Sequence, residues 1–232
     1  GFDVELTDIS DGVAMIAVQG PKAVETLQKI TGEDLSGVER FSIAEITVSG
    51  LRCMAARTGY TGEDGFEVFV LDCPVEEPEK ALKVWNDLVE AGAVPCGLGS
   101  RDSLRLEAGL NLYGNDIDDD TNPLDARLRW VVKFKKEGGF NGKEALLKIR
   151  EEGGKRSQVG IRMVGRGIPR QHYEILDGAG EVVLGEVTSG GLGPTLGYGI
   201  AIGYVPRGYR KVGTPVMIRV RKKLVEGKIV KS

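Results

Sequence analysis

The sequence predicts an α+β chain of more than one domain, with an antiparallel sheet and helices in its first hundred residues and a small antiparallel β barrel at its end. Three observations point there. Strand-period and helix-period patterns alternate up to about residue 100, short strands separated by Gly and Pro turns fill the stretch beyond Gly154, and 232 residues exceed the usual size of one domain.

The elements follow in order. Val13 to Val18 reads as a short apolar strand, and Pro21 opens a helix whose Val24, Leu27 and Ile30 share one face before Gly32 ends it. Phe41 to Val48 and Leu51 to Arg57 form a hairpin around Ser49-Gly50. Gly59, Gly62 and Gly65 then punctuate a tight loop, after which Phe66, Val68 and Val70 alternate with Glu67, Phe69 and Leu71 along a strand. Glu76 to Glu90 is a second helix with Ala81, Val84, Trp85 and Leu88 apolar, and the order so far resembles a ferredoxin-like split βαβ unit. Ser100 caps a helix over Arg101 to Ala108 that Gly109 stops. An acidic loop from Asn115 to Asp125, a strand at Trp130 to Phe134 and a helix from Gly142 to Glu152 come next, with Glu151 to Lys155 as a boundary. Val159 to Met163, Glu181 to Thr188, Ile200 to Val205 and Val216 to Val220 are the strands expected of the barrel.

Composition narrows the function classes. Hydrophobic content of 41% against 28% charge argues against disorder, and a net charge of −3 offers no general attraction to nucleic acid or an anionic membrane. No apolar stretch approaches spanning length and no signal-peptide pattern opens the chain, so the cytoplasm is the expected location. Cys53, Cys73 and Cys96 are odd in number and lack a Cys-x-x-Cys pair, which argues against a zinc site or a disulfide framework and fits a reducing compartment.

The candidate chemistry lies in Arg57 to Glu67 and in Gly97 to Gly109, which hold more Gly, Thr and charge than a core needs. Glu67 shares a strand face with Phe69 and Leu71, so it sits at the strand's wet end or is paired with a donor, because an unpaired buried charge is costly. Arg101 and Arg105 fall four apart on one helix face and repel unless something anionic lies beside them. The plainer alternative pairs one of them with Asp102 or Glu107 and leaves the other to water. Other signals are weaker. Asp116 to Asp120 lacks the Gly and the bidentate Glu of a calcium loop and reads as a solvated loop. Gly190-Gly-Leu-Gly193 has no strand-to-helix context and reads as a β turn, and Arg219 to Lys223 reads as the wet face of an edge strand. His172, the only histidine, has no nucleophile motif around it and reads as a loop residue.

Taken together, Gly59-Tyr-Thr-Gly-Glu-Asp-Gly-Phe-Glu67, Ser100-Arg-Asp-Ser-Leu-Arg-Leu-Glu-Ala-Gly-Leu110, Leu112-Tyr-Gly-Asn-Asp116, Val187-Thr-Ser-Gly-Gly191 and Pro194-Thr-Leu196 resemble the aminomethyltransferase, or T-protein, family of the glycine cleavage system. The likeness runs from Val13 to the last residue and includes Ala17-Val-Gln-Gly-Pro21 and Ile200-Ala-Ile-Gly-Tyr-Val205. It implies a ferredoxin-like middle domain over 1–100, a segment over 101–154 that completes a folate-binding N-terminal domain, and a C-terminal β barrel over 155–232. The family's catalytic Asp would precede Gly1 and its aromatic-containing tail would follow Ser232, so the resemblance implies a partial chain with no catalytic residue of its own.

The implied reaction passes an aminomethyl group from the lipoyl sulfur of the H-protein to tetrahydrofolate, with release of ammonia and no metal. Glu67 would receive the paired donors of the pterin edge, Tyr60 would line the ring, and Arg101 would donate to folate acceptor groups. Glu63 is the alternative carboxylate, and Arg170 and Trp130 are further active-site candidates. The lipoylated H-protein is the implied partner, in the cytoplasm or, for a eukaryote, the mitochondrion. Apolar surface near Leu110, Leu112 and Trp130 would favour self-association. Two other classes remain: the folate-binding C-terminal region of a sarcosine or dimethylglycine dehydrogenase-like enzyme, and a non-enzymatic folate-binding protein, whose Lys-Gly-Cys motif is absent from the sequence.

Overall fold

Strand pairing and packing sort the chain into two compact units, Gly1–Arg101 and Asp102–Ser232, in a computed structural model that describes residues 3–231. In the first unit, β1 (Ala14–Gln19), β2 (Ile43–Val48), β3 (Leu51–Ala56) and β4 (Gly65–Val70) form one antiparallel sheet in the order β1-β4-β3-β2. The β2–β3 hairpin turns on Ser49 and Gly50, whose φ values of 54° and 78° suit the tight two-residue turns that match strand twist. Helix α1 (Ala23–Gln28) follows β1 and helix α2 (Glu79–Glu90) follows β4. Both pack on the same sheet face: Leu27, Val84 and Leu88 join Val48, Cys53, Phe66, Val68 and Val70 in one core. The wiring is thus β-α-β-β-β-α, a four-stranded antiparallel sheet with two helices in which three strands follow α1 in a run, rather than the alternation of a split βαβ unit.

Helix boundaries shift from the sequence expectation for local reasons. Helix α2 starts at Glu79 rather than Glu76, because Pro78 has no N–H and suits the start of a helix rather than its interior. Helix α3 (Leu98–Glu107) starts two residues before Ser100, since the amides of Ser100 and Arg101 donate to the Gly97 carbonyl and close a turn ahead of the expected cap. Gly109, at φ 70°, lies just past its end. The unit division falls inside α3.

The second unit holds a closed barrel in the order β10-β5-β8-β7-β6-β9, with β5 (Arg156–Met163), β6 (Glu174–Asp177), β7 (Val183–Gly193), β8 (Tyr198–Pro206), β9 (Pro215–Val220) and β10 (Lys223–Val230). Val159, Ile161, Ile175, Val187, Val216, Ile218 and Ile229 fill it, the inward half of each strand's alternation. Helix α4 (Lys143–Glu152) precedes it.

Four sequence expectations are corrected here. Trp130 to Phe134 is not a strand: Arg129–Val131 is a 3-10 turn whose backbone bonds are local, Val131 to Leu128 and Val132 to Arg129. Gly190 to Gly193 is not a turn but the end of β7, where a side chain at Gly190 would meet the Pro169 carbonyl at 2.8 Å. Arg219 to Lys223 is not an edge, because β9 is flanked by β6 and β10; Arg219 pairs with Glu174 at 2.5 Å, and Arg221-Lys222 is the hairpin turn. Asp116 is buried, whereas Asp118, Asp119 and Asp120 of the same loop are exposed as expected. His172 is exposed at φ 67°, 3.6 Å from Glu186.

Candidate functional site

The loop from Arg57 to Asp64 is fastened at both ends. Arg57 donates to Asp64 through Nη2 at 2.7 Å and Nε at 3.1 Å, and through Nη1 to the Val38 carbonyl at 2.7 Å. The Arg57 guanidinium holds the Asp64 carboxyl below its ordinary range, and Asp64 in turn raises Arg57. Gln19, at the end of β1, wedges into the loop: its amide donates to the Thr58 carbonyl at 3.1 Å and accepts from Thr61 Oγ1 at 3.0 Å. The three loop glycines serve separate needs. A Cβ on Gly59 would fall 1.8 Å from Gln19 Oε1, one on Gly65 would fall 2.3 Å from the Val18 carbonyl oxygen, and Gly62 has φ 79°.

With both helices on one side, the other sheet face is open, and strand register sets what it carries. Met15, Phe69, Met54 and Glu45 form one row across it; Ala17, Glu67, Ala56 and Ile43 form the next. Glu67 therefore sits half-buried mid-sheet between two alanines, not at a frayed strand end. Thr58 Oγ1 donates to Glu67 Oε2 at 2.5 Å, so the carboxylate is the paired case of the two that the sequence left open. Tyr60 lies beneath the Arg101 guanidinium at 4.8 Å from the ring centroid. A mostly apolar face with one anchored carboxylate, in a unit where the Tyr60 loop and α3 supply a ring–cation pair, can take a planar ligand that presents hydrogen-bond donors along one edge.

The second unit has a different polar centre. Arg105 is buried and donates to Asp116 Oδ2 at 2.7 Å, to Asp102 at 2.8 Å, to the Leu110 carbonyl at 3.2 Å and to Ser189 Oγ at 2.8 Å. Asp116 accepts in addition from Thr188 Oγ1 at 2.5 Å, from Ser189 Oγ at 2.8 Å and from the Leu112 amide at 2.9 Å. Tyr204 donates to the Asp116 carbonyl, and burial pushes its hydroxyl up to about 12. Glu107 pairs with Thr195, through its amide at 2.9 Å and its hydroxyl at 2.6 Å. Of the two arginines that looked equivalent on α3, one is a fully bonded structural ion and the other is exposed.

Glu67, Tyr60 and Arg101 all belong to the first unit, where Tyr60 and Arg101 touch and Glu63 is exposed on the loop. Arg170 and Trp130 belong to the second unit and are both exposed, Trp130 at 73%. Gln19 and Thr58 were missed by sequence reasoning; Gln19 lay inside a quoted motif, and only the fold shows that it braces the loop. Among the described residues, no group of His, Cys, Asp and Glu could hold a metal ion.

Comparison with known proteins identifies the family. The family model described as the GCVT N-terminal domain matches residues 1–136, and that of the glycine cleavage T-protein C-terminal barrel domain matches 156–232, the stretch that forms the closed barrel. The chain belongs to the glycine cleavage T-protein family. It is 45% identical over 229 residues to an aminomethyltransferase of Nostoc sp. (strain PCC 7120), covering 98% of this chain and 58% of that protein. It is 47% identical over 237 residues to an aminomethyltransferase of Symbiobacterium thermophilum, covering 99% and 61%. The crystal structure of glycine cleavage system aminomethyltransferase T from Bartonella henselae superposes with a TM-score of 0.70 at 26% identity, over 96% of this chain and 83% of that one. The chain therefore spans about three-fifths of the length of these curated T-protein relatives, as the 58% and 61% coverages show.

Proposed function

We propose that the T-protein to which this chain corresponds is a tetrahydrofolate-dependent aminomethyltransferase, and that the open sheet face of the first unit receives the pterin. One observation carries the reading: Glu67 is fixed by Thr58 in the middle of the sheet face away from the helices, between Ala17 and Ala56. A pterin edge offers a ring N–H beside an amino group, two parallel donors that match one carboxylate. Small neighbours let a fused ring approach it, Tyr60 supplies a ring wall, and Arg101 supplies donors for the substrate's acceptor groups.

In the reaction, N5 of the folate attacks the aminomethyl carbon held on the lipoyl sulfur of the H-protein as the carbon–sulfur bond breaks, and N10 closes on the same carbon as ammonia leaves. Methylene-tetrahydrofolate and the dihydrolipoyl protein remain. The chain's share is to bind and orient. We assign the division 1–100, 101–154 and 155–232 to the middle domain, the completing segment of the N-terminal domain and the barrel domain. Arg170, Glu63 and Trp130 are secondary candidates, and the cytoplasm is the proposed location; among the described residues no helix is long and apolar enough to cross a membrane.

The test compares two carboxylates by calorimetric titration of a reduced folate into the full-length protein. Glu67→Gln turns one acceptor into a donor that faces a donor, so affinity should fall about tenfold to a hundredfold, the equivalent of roughly 1.5–3 kcal/mol. Glu63→Gln, on the exposed loop, should change it by less than about twofold. Equal losses would remove Glu67 from its role, and no loss in either would remove folate from this face.

A further inference from the structure

Within the Asp102–Ser232 unit, a cleft of about 750 Å³ is walled by Arg127, Arg129, Arg150, Arg207, Arg210 and Lys211. Among the described residues no carboxylate lines it, in a chain whose 34 acidic side chains outnumber its 31 basic ones. The cations come from separate segments, so this is convergence rather than a basic run. Arg129 lies on the Arg129–Val131 turn, Arg150 on α4 with its guanidinium 4.6 Å over the Phe134 ring, and Arg207 on the 3-10 turn Arg207–Tyr209 that follows β8. Arg127 holds φ 59°, the left-handed region that a residue with a side chain occupies at a cost.

A buried carboxylate, Asp125, lies near the wall. A side chain at Gly154 would meet Asp125 Oδ1 at 3.1 Å and the Arg207 guanidinium at 3.4 Å, and Arg156 lies 3.7 Å from the Asp125 carboxylate. Asp125 Oδ1 and Arg207 Nε are nonetheless both buried without a hydrogen-bond partner. The floor is polar as well, with Ser157 and Gln158 buried and Leu124 the lone apolar side chain in the lining, which disfavours an apolar occupant. The volume is that of a small-molecule site rather than a single ion. Five of the six cations are arginines, whose planar forks match phosphate and carboxylate oxygens in pairs.

We propose that this cleft binds a small oligoanion, a molecule that carries several phosphate or carboxylate groups. The inference stands apart from the folate reading, since it uses none of that site's residues, and either can fail alone. Titration calorimetry of the chain with tripolyphosphate, and separately with citrate, tests it. At least one should bind one-to-one, weaken as salt is raised, and lose about tenfold or more in Arg207→Met, the scale of one charge-assisted hydrogen bond. The exposed pair Arg210→Glu/Lys211→Glu should show a comparable loss without loading the core, and decides the matter should Arg207→Met unfold. A preference for tripolyphosphate assigns phosphates, a preference for citrate assigns carboxylates, and equal binding assigns both. The proposal is overturned by no binding of either anion, by binding that the substitutions leave unchanged, or by orthophosphate binding as tightly as tripolyphosphate. It is overturned equally if a DNA duplex or polyglutamate binds the cleft and the small anions do not compete.

Discussion

Each unit contains an arginine–carboxylate pair at 2.7 Å, yet the two pairs do different work. Arg57–Asp64 of the sheet unit keeps 18% and 33% of its side-chain surface, whereas Arg105–Asp116 of the barrel unit keeps 2% and 0%. The buried pair persists because its charged atoms are bonded by Asp102, Leu110, Leu112, Thr188 and Ser189, so no desolvated lone pair or proton is wasted. It locks segments distant in sequence. The half-exposed pair clasps the two ends of one loop and leaves the neighbouring strand face open. An ion buried and satisfied all round has nothing left to offer a ligand; a site needs a carboxylate that is held on one side and accessible on the other, which is the condition of Glu67.

The sharpest way to break the comparison is to empty one side of the buried pair. Asp116→Ala leaves the buried Arg105 with only the exposed Asp102 as counter-ion and takes the acceptor from the Leu112 amide, Thr188 and Ser189, and should cost about 3–5 kcal/mol of unfolding free energy in urea denaturation. A loss near 1 kcal/mol would show that water reaches Arg105 and that the two pairs are alike. Adding Arg105→Met to Asp116→Ala should recover part of the loss, because no under-compensated buried charge then remains.

Glycine substitutions come next. Gly65→Ala puts a methyl 2.3 Å from a backbone carbonyl of β1 and should cost about 1–3 kcal/mol by the same measurement, since strands must part. Gly59→Ala meets only the Gln19 side-chain amide, which can swing away, so its cost should be the smaller. The reverse order would mean that the Gln19 wedge, rather than strand contact, dominates the stability of this loop.

Asp64→Asn should cost about 1 kcal/mol or less at neutral pH, as expected of a partly exposed pair. Its pH dependence has a definite sign. Asp64 is held below the ordinary carboxylate range by Arg57, so its contribution is present above the unfolded carboxylate's pKa of about 3.9 and is lost as pH falls through the lower folded value. The gap between parent and variant should therefore close on acidification below about pH 4, and a constant gap would assign the effect to shape rather than charge. The smallest effect belongs to Thr58→Val, about 0.5 kcal/mol in stability, because Glu67 is open enough for water to replace the hydroxyl.

Local pattern by itself determined a good deal. The period-two run from Phe66 to Val70 placed Glu67 on the strand face opposite Phe66, Val68 and Val70, the Gly-rich loop before it was legible as tight, and the hairpin at Ser49-Gly50 and the helix faces at Leu27, Val84 and Leu88 followed from spacing. These depend on interactions within a few residues, which sequence records directly. Tertiary structure alone decided the rest. Arg101 and Arg105 are indistinguishable by spacing, and Asp116 looks like its solvated neighbours. What separates them is Thr188 and Ser189, contributed by β7 from 72 and 73 residues beyond Asp116. Arg219 and Gly190 to Gly193 looked like edge and turn because a lone strand does not show what flanks it; barrel closure supplies neighbours on both sides. The cleft of six cations is likewise invisible in sequence, since its arginines are scattered from Arg127 to Arg210 and converge only through the fold. Period and turn chemistry are local and cheap to read, whereas burial of charge is set by whichever distant groups arrive to satisfy it.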